Sequence, residues 1–145
     1  MAVAMMVNID SFREMFSKYI FGGILDRHPS LRVGWFEGGI AWVPTASQEA
    51  EHVLASYRHM LTDHPEHDVR HYWDTHMCAS FMVDGLGLAQ IDQIGVDKVM
   101  WSSDYPHNEI TFGYWERSLA AVVDAVGPED AVRIVGGNVK SFLGM

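Results

Sequence analysis

The segment Ser102-Ser-Asp-Tyr-Pro-His107 carries the sharpest chemical signal in the sequence. Asp104 follows a short apolar run, and the two serines before it have small side chains that let a ligand approach. A carboxylate in such a position can bind a divalent metal or take a proton from metal-bound water. The same residue could also cap a short turn, and spacing alone leaves the two interpretations open.

Glu37 is the second candidate acid, because it follows the apolar run Leu31–Phe36 and precedes Gly38-Gly39. The missing glycine side chains leave open space beside its carboxylate. Such a group can act in acid–base chemistry or orient a substrate. The structural alternative is a carboxylate that accepts hydrogen bonds from nearby backbone amides, and this alternative also stays open.

Other reactive residue types give weaker signals. Five histidines lie in one polar stretch, namely His59, His64, His67, His71 and His76. Two of them have the i, i+4 spacing that can share a metal on a helix, but Pro65 disturbs helical continuity and no H-E-x-x-H motif occurs. We therefore expect a solvated cluster there. Cys78 lies inside an apolar run and is interpreted as a packed thiol.

Three apolar runs predict the strands that position the candidate acids: Leu31–Phe36, Met77–Val83 and Lys98–Trp101. Helical spacing predicts helices beginning near Asp10 and over Thr45–Leu61, Leu86–Ile94, Trp115–Val126 and Pro128–Leu143, with 64–74 irregular. Strands that alternate with helices indicate an α/β fold with a parallel sheet. Ligands of such folds bind at the carboxyl ends of the strands, so we expect Glu37 and Asp104 at the same edge.

The composition narrows the class of protein. The length of 145 residues predicts one domain over residues 1–145. The net charge of −9 argues against nucleic acid and anionic membranes as partners. A single cysteine excludes an internal disulfide framework and suits a reducing compartment. No apolar run is long enough to span a bilayer, and the first residues lack a basic leader, so we expect a cytoplasmic protein.

Four motifs in order resemble the amidohydrolase-related family, a branch of the metal-dependent hydrolase superfamily that includes the aminocarboxymuconate-semialdehyde and resorcylate decarboxylases. The motifs are Gly23-Ile-Leu-Asp-Arg-His-Pro-Ser-Leu-Arg-Val33, Glu37-Gly-Gly-Ile-Ala-Trp-Val-Pro44, Ser103-Asp-Tyr-Pro-His107 and Gly137-Asn138. The resemblance implies a (β/α)8 TIM barrel. This chain would be its C-terminal portion, about strands six to eight with their helices.

The resemblance also implies roles for individual residues. Asp104 matches the aspartate that ligates the catalytic divalent metal, usually zinc, and takes part in proton transfer. Glu37 stands where the decarboxylases commonly carry an active-site histidine, and would be a second acid–base or orienting group. His107 would bind substrate. Apart from the resemblance, the position of Trp42 near a strand exit predicts that it reaches the pocket and binds substrate as well. The metal-binding pair of the first strand and the histidine after strand five have no counterpart, so the ligand set in this chain is incomplete.

The function implied is a metal-dependent hydrolase or decarboxylase that lacks the N-terminal half of its barrel and acts on a small molecule with a carboxylate or carbonyl-type group. The alternative is a non-catalytic half-barrel that self-associates or binds a partner. A half-barrel would expose apolar strand faces, so we predict a homo-oligomer that leaves the histidine-rich stretch in solvent. Several of six strand residues would face the open side, since these alternate along the strands: Val33, Trp35, Cys78, Phe81, Val99 and Trp101.

Overall fold

Helices and short strands alternate along the chain in the computed structural model, which describes residues 2–62, 65–107, 111 and 113–145. The strands are β1 (Val33–Trp35), β2 (Met77–Phe81) and β3 (Val99–Trp101). The helices are α1 (Ala2–Phe21), α2 (Ile24–Arg27), α3 (Trp42–Tyr57), α4 (Val69–His76), α5 (Gly85–Leu88), α6 (Ile91–Ile94), α7 (Trp115–Val132) and α8 (Asn138–Leu143). In the described part of the chain, no helix is both long and apolar enough to cross a membrane.

The three strands form one parallel sheet in the order β1-β2-β3. Ala79 of β2 pairs with Val99 of β3, and Phe81 pairs with Trp101. The predicted α/β fold and its three strands are therefore present, although each strand is shorter than the apolar run that predicted it. Helices α3 and α4 connect β1 to β2, which is the crossover that parallel neighbours need.

Burial within the single chain corrects part of the argument for self-association. Phe81 and Val99 are 1% and 0% exposed, and Val33 and Trp35 are buried as well. The expectation that several of the six side chains would be left in water is therefore wrong for these four, and the remaining two, Cys78 and Trp101, are half-buried.

The reason lies in which side of the sheet these residues face. The Trp101 indole donates a hydrogen bond of 2.9 Å to Ser118 Oγ of α7. Paired residues of neighbouring strands, and residues two apart on one strand, point to the same side. Phe81, Val99 and Trp101 therefore all point toward the side that α7 covers.

The chain divides into two compact units, and the first comprises the described residues of Met1–Val33 and Trp42–Met77 with helices α1–α4. Its core holds an aromatic cluster around Trp42, whose ring lies edge to face with Phe12, Phe16 and Trp73 at centroid distances of 5.8, 5.8 and 6.4 Å. Helix α3 begins three residues before the predicted start. Pro44 is tolerated there because amides of the first helical turn have no acceptor within the helix.

Helix α4 corrects the prediction that 64–74 is irregular. Asp68 caps the helix by accepting a hydrogen bond of 2.7 Å from the His71 amide. His76, predicted to lie in solvent, is buried, and its Nδ1 lies 2.8 Å from the Leu31 carbonyl oxygen. His59, His67 and His71 are exposed, whereas His64 lies outside the described residues.

The second unit comprises Gly34–Ala41 and Cys78–Met145, and it contains most of the sheet with α5–α8. The predicted break between the last helices is confirmed, since Gly127 has φ 80 and ψ 166 within α7. The predicted helix Leu86–Ile94 is instead two four-residue helices. Asn138 is buried and its side-chain amide donates hydrogen bonds of 2.8 and 2.7 Å to the carbonyl oxygens of Val96 and Val99.

Candidate functional site

The two predicted acids follow the outer strands of the sheet in the second unit. Glu37 comes two residues after β1 and Asp104 comes three residues after β3. The parallel order therefore places both at the carboxyl end of the sheet, as the sequence predicted. With β2 between them, and neighbouring strands about 4.8 Å apart, the two strand ends are separated by roughly 10 Å.

Both acids have a left-handed backbone conformation. Among the described residues other than glycine, Glu37 with φ 68 and Asp104 with φ 54 are the ones with positive φ. This conformation costs on the order of 1–3 kcal/mol for a residue with a side chain, and such residues concentrate at active sites and ligand clamps. That two candidate residues chosen from sequence share it is the strongest geometric signal in this unit.

Glu37 is exposed, and its backbone rather than its carboxylate is held in place. Its amide donates a hydrogen bond of 3.3 Å to Ser80 Oγ. Ser80 lies on β2 and is buried, so the contact ties the start of the loop after β1 to the middle strand. This hydrogen bond fixes the backbone of Glu37, and the local backbone conformation then sets the direction of its carboxylate.

Asp84 fixes the other end of the same loop. Its Oδ2 accepts hydrogen bonds from the amides of Ile40 and Ala41 at 2.7 and 2.9 Å, and its Oδ1 accepts one from Gly87 at 2.8 Å. A side chain at Gly39 would lie 2.8 Å from Asp84 Oδ2, and Gly39 has φ 67, so a glycine is required there. Asp84 thus binds backbone amides, the structural role that the sequence analysis left open for Glu37.

Asp84 is the residue that sequence reasoning did not single out. The available signal was its position, because it follows β2 as Glu37 follows β1 and Asp104 follows β3. Its hydrogen bond to the Gly87 amide caps α5 locally, but its link to the loop after β1 could not be deduced, since Ile40 and Ala41 lie more than forty residues earlier.

Asp104 and His107 form a pair within one turn. The Asp104 side chain is 17% exposed and its Oδ2 lies 3.4 Å from His107 Nδ1, while the His107 side chain is 63% exposed. The His107 amide also donates a hydrogen bond of 2.8 Å to the Asp104 carbonyl oxygen. The turn therefore holds a half-buried carboxylate beside an accessible imidazole.

Trp42 belongs to the first unit rather than to the unit that carries the two acids. It begins α3 and is 6% exposed within the aromatic cluster described above. Packing accounts for its ring, and its role in substrate binding stays a prediction.

The donor atoms at the strand ends fit a divalent metal only in part. Carboxylate oxygen and imidazole nitrogen are both zinc ligands, and two atoms about 2.0–2.2 Å from a zinc ion at the tetrahedral angle are roughly 3.4 Å apart. Asp104 Oδ2 and His107 Nδ1 have that separation. A catalytic zinc uses about three protein ligands. Within the described chain, no group of three candidate ligands includes Asp104 or Glu37.

One group of three candidate ligands does occur, in the first unit. The ligand atoms of Asp26, Glu66 and His67 all lie within 4.8 Å of one another. The Asp26 carboxylate accepts hydrogen bonds from the Tyr72 hydroxyl and the Glu66 amide. Burial and the hydrogen bond to Asp26 raise the pKa of Tyr72 to about 12. The Asp26 carboxylate thus has two hydrogen-bond donors within the protein.

The chain belongs to the amidohydrolase family: the family model described as "Amidohydrolase" matches residues 3–144, almost the whole sequence. This finding confirms the resemblance drawn from the four motifs. Members of this family generally use a divalent metal and act on small molecules.

Solved structures agree on the fold. The chain superposes on an amidohydrolase from Mycobacterium avium subsp. paratuberculosis K-10 with a TM-score of 0.72 at 20% identity, covering 94% of this chain and 34% of that one. It superposes on the IDCase of Metarhizium anisopliae in apo form with a TM-score of 0.66 at 21% identity, covering 86% and 36%. The three-stranded parallel sheet thus matches part of an amidohydrolase TIM barrel, and the chain spans about a third of the length of these structures.

Proposed function

We propose that this chain contributes acid–base groups to a divalent-metal-dependent hydrolase acting on a small molecule with a carbonyl-type group. The observation that carries the proposal is that Glu37 and Asp104 leave the outer strands at the same end of the sheet, both with positive φ. The family match supports this catalytic interpretation over a non-catalytic half-barrel. The three strands would correspond to strands six to eight of the complete barrel.

Asp104 would hold or transfer the proton in the reaction, because its half-buried carboxylate lies where ligands of parallel α/β folds bind. His107, 3.4 Å away, would orient that carboxylate and share the metal with it. A divalent metal there, with zinc as our proposal, would polarise the substrate carbonyl as a Lewis acid. Further ligands would come from strands that this sequence does not contain.

Glu37 favours hydrolysis over decarboxylation. A carboxylate at this position can accept a proton from water. It would also repel the carboxylate of a decarboxylation substrate, since two like charges about 4 Å apart oppose each other even near a protein surface. Decarboxylation is the second candidate, supported by the motif resemblance to the decarboxylases of the family.

Zinc titration of the metal-free 145-residue chain, followed by calorimetry, tests the proposed ligand. We expect Asp104→Asn to weaken zinc binding roughly tenfold or more. Asp124→Asn is the matched control, because Asp124 is an exposed aspartate on α7, and it should leave binding unchanged.

The same titration separates the strand ends from the group in the first unit. The double variant Glu66→Gln, His67→Gln removes two of the three candidate ligands there. If zinc binding is lost in that variant and unchanged in Asp104→Asn, the metal role proposed for Asp104 is wrong.

We also propose that the chain forms a homo-oligomer through the outer edges of its sheet. In the described residues β1 and β3 are the outer strands of a three-stranded sheet, and sheet edges are templates for pairing with another chain. Sedimentation equilibrium at micromolar concentration tests the proposal. A single species of 16.3 kDa would contradict it.

A further inference from the structure

A cavity of about 310 Å³ in the second unit lies between α7 and the end of β2. Its apolar wall consists of Phe81, Val83, Leu88 and Ala121. Ligand clefts commonly have volumes of about 300–1,000 Å³, so this one has room for a small aromatic ring system. Neither Glu37 nor Asp104 lines it.

The polar groups of the cavity are unequally available. Ser118 donates its hydroxyl hydrogen to the Met82 carbonyl oxygen and accepts from the Trp101 indole, so its hydroxyl is engaged. Asp84 also lines the cavity, but its two carboxylate oxygens accept three backbone hydrogen bonds. Three backbone N–H dipoles thus point at the Asp84 carboxylate, and their partial positive charges offset part of its negative potential in the cavity.

Arg117 brings a positive charge to the lining of the cavity, and Tyr114 brings a hydroxyl that can donate a hydrogen bond. Tyr114 directly precedes α7 and Arg117 lies in its first turn, with Ala121 one turn further along the same face. A cation in the first turn opposes the helix dipole, and a bound anion would relieve that opposition. In the described part of the chain, Arg117 forms no ion pair with a carboxylate.

We propose that this cavity binds a small aromatic monocarboxylate. The ring lies against the apolar wall formed by Phe81 and Leu88, and the carboxylate pairs with the Arg117 guanidinium and accepts a hydrogen bond from the Tyr114 hydroxyl. Arginine suits this role because its planar fork matches a carboxylate. The inference rests on the cavity and its charges, and holds whether or not Glu37 and Asp104 take part in catalysis.

Calorimetric titration of the 145-residue chain with naphthalene-2-carboxylate, and with its uncharged amide as comparison, tests the proposal. We expect the acid to bind roughly tenfold more tightly than the amide, because only the acid can form the charge-assisted pair. Equal affinities, or no binding of the acid, would overturn the proposal.

Three variants locate the site. Arg117→Gln should weaken binding of the acid roughly tenfold and leave binding of the amide unchanged. Arg133→Gln is the control, because Arg133 already pairs with Asp130 at 2.9 Å, and it should change neither affinity. Ala121→Trp places a bulky side chain in the cavity and should abolish binding of both probes. Unchanged binding in Ala121→Trp would show that the probes bind elsewhere.

Discussion

The Asp84 carboxylate accepts a hydrogen bond of 2.7 Å from the Ile40 amide, across 44 positions of sequence. The contact joins the loop after β1 to the loop after β2, and it lies three residues beyond Glu37. The loop that carries a candidate catalytic residue is thus held at its far end by a second acid, whose carboxylate binds backbone amides.

Asp84→Ala should destabilise the second unit. The change leaves three half-buried backbone amides, those of Ile40, Ala41 and Gly87, without their acceptor. We expect a loss of about 2–4 kcal/mol in the free energy of unfolding, measured by urea denaturation. Asp92→Ala on α6 is the control and should cost less than about 0.5 kcal/mol, because Asp92 is exposed. Equal effects of the two variants would refute the anchoring role.

Gly39→Ala tests the close approach at the same contact. An alanine would be strained at the positive φ of 67, and its methyl group would also lie only 2.8 Å from Asp84 Oδ2. Gly113→Ala is the matched control, since Gly113 has φ 88 but open space around it. Thermal denaturation should show a loss of about 1–2 kcal/mol for the control and a clearly larger loss for Gly39→Ala. A larger loss of stability for Gly113→Ala than for Gly39→Ala would mean that Asp84 moves away from the new methyl group with no loss of stability.

Glu37→Gly should keep or raise stability while removing a proposed catalytic group. Glycine adopts the left-handed conformation of Glu37 without steric cost, so the gain is up to about 1 kcal/mol. Asp124→Gly, an exposed position in the middle of α7, should instead cost about 1 kcal/mol. Denaturation midpoints measure both. A destabilised Glu37→Gly variant would mean that the Glu37 side chain contributes to the fold.

Tyr72→Phe should alter the pH dependence of stability above pH 10. The pKa of Tyr72 rises from 10.0 unfolded to about 12 folded, so the folded state holds the proton more tightly. Its contribution is therefore complete below pH 10 and is lost between pH 10 and about 12. We expect the stability advantage of wild type over Tyr72→Phe to shrink across that window. Tyr57→Phe, at a half-exposed position, should track wild type throughout.

The alternation of apolar runs with helical spacing was enough to predict the three parallel strands and the common edge of Glu37 and Asp104. Helix α4 was missed because Pro65 and a run of charged residues look irregular. Its signal was nevertheless present: Val69, Tyr72, Trp73 and His76 recur at helical spacing behind the capping residue Asp68, and all four are buried.

One expectation failed because the contacts that decide it are not local in the sequence. The side of the sheet that a strand residue faces depends on register, and a one-residue shift reverses it. Alternation along the strands predicted only that several of six residues would face the open side, whereas Phe81 and Trp101 point toward α7. The packing of Trp42 with three aromatic rings was likewise not predictable from its distance along the chain, and its role in substrate binding stays a prediction.

The Asn138 side chain has a consequence for the order of folding during synthesis. It holds the carbonyl oxygens of Val96 and Val99, at the beginning of the strand that leads to Asp104. On the ribosome, this strand emerges about forty residues before its anchor does. The amide that fastens the beginning of β3 is therefore unavailable until α8 has left the exit tunnel, and a pause in translation before codon 138 would leave the Val96 and Val99 carbonyl oxygens without it.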